Sequence, residues 1–250
     1  MVVLDSAGYA AFTITHGISI IAPPGVYAGI SVFSGEDGIT INAGASDTVI
    51  LHGLTVNNQG STGSGIVFNT GGTLHVEGCV VNGFNASSTA NGIKFLAGAN
   101  LEVKDSIFRG NDIGILVRPS SGTAQAAIDQ VRLENGNEGL FVLPSSTVTV
   151  RNSLASGNSA DGFAAASGTA APAELDIENC VASNNGLGIV ASSSSSGAVT
   201  VRVSNSTVTH NGAGLDNVFG APGLLLSRGN NTVEGNTSDT SGPIGSYTAK

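Results

Sequence analysis

The sequence predicts an all-β solenoid in one elongated domain, and three observations support that fold class. The 250 residues include 36 glycines, no tryptophan and one methionine, and only 11% of them are charged. Strand- and turn-favouring residues are abundant, whereas strong helix formers are scarce. A glycine followed by an apolar residue also returns at intervals of 22 to 27 residues. A repeat of that length cannot bury its apolar side alone, but stacked repeats bury it continuously.

The recurring glycine marks the start of a strand in each successive coil. Its positions are Gly38, Gly65, Gly92, Gly114, Gly139, Gly162, Gly188 and Gly214. A second pattern follows within the coil, in which apolar residues alternate and a short strand comes next, as in residues 74–81, 101–108 and 175–182. Each coil therefore holds about three short strands, as expected for the strands of a half-buried sheet. The sequence predicts a parallel β-helix of about nine coils.

The chain resembles a known family in these same motifs. The glycine openings, the runs of the form Leu-x-Val-x-[Asn/Asp/Gly]-[Cys/Ser], and an asparagine near each second corner are similar to those of right-handed parallel β-helix repeat proteins. These form the pectate-lyase-like superfamily, which includes a bacterial group of short standalone β-helices. The resemblance covers nearly the whole chain and implies the right-handed fold and a secreted or cell-surface location. It implies no single chemistry, because this scaffold carries enzymes, adhesins and phage fibres.

One column of equivalent residues consists of asparagines, since neighbouring coils lie about 4.8 Å apart. Its members are Asn111, Asn158, Asn185, Asn211 and Asn236. We expect a structural ladder of hydrogen-bonded side-chain amides at a corner that favours left-handed backbone geometry.

The two cysteines, Cys79 and Cys180, lie in one inward column, four coils apart. That separation is about 19 Å by strand spacing, beyond the roughly 7 Å that a disulfide spans between Cα atoms. We expect two buried free thiols. The sequence predicts no metal site and no cofactor, because these cysteines have no partner ligands.

An outward column carries charges that change sign from coil to coil: His52, Glu77, Lys104, Asp129, Arg151 and Glu178. We expect cross-strand ion pairs along it.

The weak catalytic candidates are Asp176 and Glu178, two residues apart on one face, with Arg151 and Arg202 beside them. Pectate-lyase relatives, as the resemblance implies, bind Ca²⁺ through clustered aspartates and use an arginine or lysine as base. The acids of this column lie two coils apart, roughly 10 Å, which is too far for one Ca²⁺.

Two further outward columns are largely apolar and are predicted as self-association stripes. The first includes Val67, Leu116, Phe141 and Val190, and the second includes Val80, Ile107, Leu154 and Val181. The loop at residues 119–124 or the C-terminal tail are alternative covers for them.

The predicted domain is a single β-helix over residues 1–236, followed by a polar tail at 237–250. The chain starts in a predicted strand, Met1 to Leu4, without the usual N-terminal cap and without a signal peptide. An uncovered end exposes strand edges and core, so end-to-end stacking is a second predicted route of association.

Charge and composition narrow the function. A net charge of −9 with nine Lys and Arg residues argues against nucleic acid as a partner, and no segment is long and apolar enough to span a membrane. The sequence favours a non-catalytic extracellular or surface scaffold that forms homo-oligomers, with weak polysaccharide binding. The alternative is a polysaccharide lyase or glycoside hydrolase acting on an acidic polysaccharide. A third hypothesis is that the chain is a fragment of a longer adhesin or phage fibre.

Overall fold

The described part of the chain forms three parallel sheets of ten strands each. The structure is a computed structural model, which describes residues 1–194, 197–218 and 224–248. The chain visits sheet 1, sheet 2 and sheet 3 in turn, so every third strand adds to the same sheet. This arrangement confirms the predicted all-β solenoid of about nine turns with three strands per coil.

The strands are numbered in chain order. Sheet 1 contains β1 (Ala7–Ala10), β4 (Ala28–Val32), β7 (Leu54–Asn58), β10 (Val80–Asn82), β13 (Ile107–Arg109), β16 (Arg132–Glu134), β19 (Leu154–Ser156), β22 (Val181–Ser183), β25 (Thr207–Thr209) and β28 (Thr232–Val233). Sheet 2 contains β2 (Phe12–Ile14), β5 (Ile39–Asn42), β8 (Ile66–Thr70), β11 (Asn91–Phe95), β14 (Ile113–Val117), β17 (Glu138–Val142), β20 (Asp161–Ser167), β23 (Leu187–Ser193), β26 (Ala213–Val218) and β29 (Ser238–Ser241). Sheet 3 contains β3 (Ile18–Ile21), β6 (Thr48–His52), β9 (Thr73–Glu77), β12 (Asn100–Lys104), β15 (Ala124–Asp129), β18 (Ser146–Arg151), β21 (Pro172–Glu178), β24 (Ala198–Ser204), β27 (Leu224–Ser227) and β30 (Ile244–Ser246).

The core consists of apolar side chains stacked in register between the sheets. In sheet 3, Leu74, Leu101, Ala126, Val148 and Leu175 are consecutive partners, and all are buried. The two phenylalanines Phe68 and Phe95 stack with ring centroids 4.7 Å apart and an angle of 8° between the rings. Small and medium side chains are enough to fill the coil because each lies against the same position of the next coil.

The corner between sheets 1 and 2 differs from the prediction in one respect. The left-handed residue is the one before each column asparagine, and not the asparagine itself: Gly110, Gly157, Asn184, His210 and Gly235 have φ between 57° and 71°. This residue turns the chain, so that the next side chain points into the coil and can bond the neighbouring coil. Glycine and asparagine tolerate that conformation best.

Both ends of the chain differ from the sequence prediction. Residues 1–4 form no strand beyond a single bridge between Val2 and Ile21. At the other end, the predicted polar tail contains β29 and β30, which pair in parallel with β26 and β27. The helix therefore continues past residue 236, because alternating Ser, Thr and Ile side chains still fit the pleat; residues 249 and 250 of the predicted tail lie outside the described residues.

The two cysteines are free and buried, as predicted. Burial raises the pKa of each thiol to about 11, so both are protonated at neutral pH. Inert packing explains them better than nucleophilic chemistry does, since the thiolate is the reactive form.

Where the structure describes the chain, it contains no helix that is long and apolar enough to cross a bilayer.

Candidate functional site

The four catalytic candidates from the sequence line one shallow pocket on sheet 3. Arg151 is the register partner of Glu178, and Asp176 is the partner of Arg202. Together with Thr149, Ser204 and Tyr247 they surround a cavity of about 270 Å³. The alternation of the strands places all four on the outer face, which is why the sequence pattern could identify the cluster.

Ion pairs occupy the charged groups of this pocket. Arg202 lies 3.1 Å from an Asp176 oxygen and 3.6 Å from a Glu174 oxygen, and Arg151 lies 3.7 Å from Glu178. Burial acts to lower the pKa of Arg202, but the hydrogen bond and charge of Asp176, together with Glu174, outweigh it and raise the pKa. Each carboxylate thus has a guanidinium partner, which fits a structural role better than that of a general acid, whose protonated form must be favoured.

The predicted ladder of alternating charges on sheet 3 is interrupted. His52 pairs with Glu77 at 3.6 Å, and Arg151 pairs with Glu178. Lys104, however, pairs with Asp105 in its own turn at 3.6 Å. Asp129 instead accepts a hydrogen bond from Asn152. The register is the predicted one, but Lys104 pairs with the acid that follows it in sequence, and Asp129 bonds the amide that follows Arg151 in the next coil rather than Arg151 itself.

The asparagine column forms a hydrogen-bonded ladder over four coils. Each side-chain amide donates to the next side-chain oxygen at 2.9 to 3.0 Å, from Asn158 to Asn185, Asn211 and Asn236. Asn111 stands apart, because Gly136 occupies the position between it and Asn158. It bonds Phe84 and Val81 of the preceding coil instead.

Four carboxyl groups on sheet 2 were not predicted as site residues from the sequence. Glu138 and Asp161 are the first residues of β17 and β20, Asp112 directly precedes β14, and Asp216 lies within β26. Glu138 is the register partner of Ile113, and Asp161 that of Leu187. Glu138 and Asp161 therefore share one column, whereas Asp112 lies one residue before it and Asp216, the register partner of Val190, lies three residues further along the strand.

An inward-facing glycine leaves Glu138 and Asp161 on the outer face. A Cβ atom added to Gly139 would meet Ala155 in the core, and the next residue, Leu140, is also buried. Two consecutive residues thus face inward, and the acid before the glycine is left on the outside. Strict alternation would have placed that acid in the core. The available signal was an acid directly before the glycine opening, as in Glu138-Gly139 and Asp161-Gly162.

The environment of Glu138, Asp161 and Asp112 favours protonated carboxyl groups. Burial, followed by the charges of Asp161 and Asp112, raises the pKa of Glu138 to about 7. Burial, followed by the charge of Asp216, raises the pKa of Asp161 to about 6. Burial alone raises the pKa of Asp112. Within the described ranges, none of the four carboxyl groups has an ion-pair partner.

The first predicted self-association stripe lies beside these acids, and the structure corrects its exposure. Val67, Leu116 and Val190 are only 5%, 6% and 3% exposed, and Phe141 is half-buried. Side chains in register, about 4.8 Å apart, cover one another on both sides. This column is the apolar floor between the acids rather than an exposed stripe.

The second predicted stripe, on sheet 1, is more accessible. Val80, Ile107 and Leu154 are half-buried, and Val181 is 38% exposed. They are consecutive outward partners except where Arg132 stands between Ile107 and Leu154.

The N-terminal end of the helix contains an apolar cavity of about 590 Å³. Its lining combines the core residues Ile20, Ala28 and Ile30 with Tyr9 and Phe12.

Metal ligands do not cluster in the described part of the chain: no group of three or more His, Cys, Asp or Glu side chains could hold an ion there.

Comparison with known families matches residues 37–238, most of the chain, to the family described as right-handed β-helix region. Neither the curated proteins nor the solved structures contain a match.

Proposed function

Since the chain belongs to the right-handed β-helix family, we propose that it is a non-catalytic extracellular or surface scaffold that self-associates side by side. The observation that carries this proposal is the partly exposed apolar column of sheet 1: Val80, Ile107, Leu154 and Val181. A flat sheet face with such a column can meet the same column of a second copy about a two-fold axis. Burial of apolar area at such a contact is favourable at about 25 cal/mol per Å².

Light scattering after size-exclusion chromatography tests this association. The unmodified chain is expected to elute above the monomer mass at micromolar concentration, and the double substitution Leu154→Lys with Val181→Lys is expected to return it to monomer. Thr147→Lys is the matched control, because Thr147 is exposed on sheet 3. A strict monomer for the unmodified chain would overturn the side-by-side proposal.

End-to-end stacking through the N-terminal cavity is the other route of association that belongs to this proposal. Val3→Asp places a charge among the residues that line the cavity. If that substitution leaves the assembled mass unchanged while the sheet 1 substitutions lower it, the side-by-side route accounts for assembly. The extracellular or surface location is supported by the family likeness, and protease digestion of intact producing cells tests it.

A second candidate function is supported by the acids of sheet 2. Glycoside hydrolases pair a carboxylic acid that donates a proton with a carboxylate on the same site, and Glu138 with a pKa of about 7 suits the donor role. Incubation with a panel of polysaccharides, including acidic ones, tests this activity. New reducing ends would indicate hydrolysis, and ultraviolet absorbance of unsaturated products would indicate a lyase. Either signal should disappear in Glu138→Gln, and the absence of both signals from the whole panel would favour the scaffold.

A further inference from the structure

The partly exposed column of sheet 1 has nearly the same order of side chains in both directions. From β7 to β25, its consecutive register partners are Thr55, Val80, Ile107, Arg132, Leu154, Val181 and Thr207. On the two sides of Arg132, the valines and the threonines recur at equal distances, and Ile107 is matched by its isomer Leu154. The column is therefore symmetric about β16, the strand that carries Arg132.

Two identical sheets that meet face to face with antiparallel helix axes require a column of this kind. Each residue then lies opposite the residue at the same distance on the other side of the two-fold axis. An axis at β16 places Ile107 opposite Leu154 of the second copy and Val80 opposite its Val181, so apolar side chains meet apolar side chains. With parallel helix axes, each residue would meet its own equivalent, and the column would need no symmetry.

The centre of the column is an ion pair rather than a single charge. Arg132 donates from Nε and Nη2 to one Glu134 oxygen at 2.7 and 2.5 Å, so the outer face of β16 carries no net charge. The Arg132 side chain is nevertheless 57% exposed, and its Nη1 group bonds no residue that the structure describes. Since a guanidinium has five N–H donors, each arginine at the axis has donors left for the Glu134 carboxylate of the second copy.

A tyrosine near the N-terminal end of sheet 1 favours antiparallel over parallel helix axes. The Tyr27 ring lies over Gly29, where an added Cβ atom would be 2.6 Å from the ring, and Tyr27 accepts a hydrogen bond from Asn57 at 3.1 Å. Gly29 and Thr232 lie one coil beyond the two ends of the symmetric stretch. With parallel axes, two protruding rings would meet at the same level and hold the sheets apart. With antiparallel axes, each ring lies opposite the smaller Thr232.

We propose that two copies of the chain form an antiparallel dimer through sheet 1, with the two-fold axis at β16. The inference rests on the self-association proposed above, and it adds the direction of the second copy and the position of the axis. Arg132 and Glu134 form the centre of the contact, with apolar pairs on both sides of it. Because both copies use the same face, association through sheet 1 stops at two chains.

Pulsed electron paramagnetic resonance on singly spin-labelled chains measures the direction and the axis position. Gln59→Cys and Glu234→Cys place the label at exposed positions in the coils of β7 and β28. With one label per chain, every distance is between copies. Cys79 and Cys180 are buried and should stay unlabelled, which the unmodified chain checks. Light scattering checks that each labelled chain keeps the mass of the unmodified one.

The expected distances follow from the number of coils to the axis. Three coil steps separate β7 from β16, and four separate β28 from it. Twice these separations, at 4.8 Å per step, gives about 30 Å for the Gln59→Cys label and about 40 Å for the Glu234→Cys label.

Other distances would contradict the proposal in different ways. Two equal distances, set only by the roughly 10 Å between facing sheets, would indicate parallel axes: self-association would stand and the antiparallel dimer would be wrong. One distance longer and the other shorter by about 10 Å would move the axis by one coil, away from Arg132. A monomer in light scattering, without any dipolar signal, would overturn both self-association and the antiparallel dimer.

Charge reversal at the axis is a second test. Arg132→Glu places four acids at the axis and Glu134→Arg places four arginines there, so each should weaken the dimer at least about tenfold, because like charges across an interface are unfavourable. The double reversal restores both ion pairs and should return the dissociation constant to within about threefold. Arg151→Glu on sheet 3 is the control and should leave it unchanged, and circular dichroism checks that each variant is folded. Folded single-reversal variants that dimerise as tightly as the unmodified chain would show that the axis lies elsewhere.

Discussion

At the scale of single residues, the buried asparagine column shows how one side-chain type joins successive coils. Asn185 accepts hydrogen bonds from the backbone and side chain of Asn158 and donates to Ala155 and Asn211. The turn residue before it supplies the left-handed backbone, so the amide itself is free to bridge coils. The column position was readable from the sequence because the coil length is regular. The left-handed residue was misplaced by one position, since asparagine is suited to both roles.

Substitution of Asn185 by alanine is expected to destabilise the fold. The change leaves the buried backbone N–H of Asn158 without its acceptor and removes a side-chain donor from the oxygens of Ala155 and Asn211, and a buried group left unpaired costs about 1–3 kcal/mol. Urea denaturation followed by circular dichroism measures the loss. Asn69→Ala is the control, because Asn69 makes one exposed side-chain hydrogen bond, to Asn42, and should change stability by about 0.5 kcal/mol or less. Equal effects of the two substitutions would show that the ladder contributes no special stability.

At the scale of strands, the sequence predicts which residues of neighbouring coils are paired, but it does not predict at every position which side chains face outward. The outward columns of sheets 1 and 3 follow from period-two alternation, and the observed partners Arg151 and Glu178 are those that alternation gives. On sheet 2, Gly139 and Leu140 both face the core, which breaks the alternation, so the sequence pattern places Glu138 in the interior rather than on the outer face. Exposure was also misjudged for Val67 and Val190, because facing outward does not make a side chain accessible within a close stack of like strands.

The acids of sheet 2 should make stability depend on pH. The pKa of Glu138 is raised to about 7 and that of Asp161 to about 6. At a pH above the ordinary carboxyl pKa and below these raised values, the folded state therefore binds more protons than the unfolded state. Stability is then highest below the ordinary pKa values of these groups and falls as the pH rises through about 6 and 7. Thermal unfolding between pH 5 and pH 8 should show a falling Tm.

Neutral isosteres identify the groups responsible for that fall. The double substitution Glu138→Gln with Asp161→Asn should flatten the dependence of Tm on pH, whereas Asp176→Asn on sheet 3 should leave the slope as it is. A slope that survives the loss of both sheet 2 acids would assign the effect to other groups.

At the scale of the whole molecule, the last strands close one end of the core. β29 and β30 pair with strands that contain Leu215 and Leu225, both fully buried. Composition alone predicted a polar tail at 237–250, since Ser, Thr and Gly dominate that segment. Its pairing with the previous coil could not be read from hydropathy, because backbone hydrogen bonds rather than apolar side chains define it.

Truncation after residue 236 is therefore expected to destabilise the molecule. Exposure of Leu215 and Leu225 removes about 1.5–3 kcal/mol of burial for each side chain, and 1 kcal/mol corresponds to roughly 2–4 °C in Tm at this chain length. Differential scanning calorimetry measures the change. Truncation after residue 248 is the control, because it keeps both strands. An unchanged Tm in the shorter chain would show that these strands do not protect the core.

The strands that the structure describes form an open stack rather than a closed ring. Each described strand pairs only with the equivalent strands of the preceding and following coils. The pairing of these strands therefore does not fix the number of coils. The segment from 188 to 213, one full repeat of 26 residues, could be duplicated in frame, and the new coil would meet the same neighbours as the old one. Such a chain is modular: gene duplication can lengthen its binding faces one coil at a time while the interior stays the same.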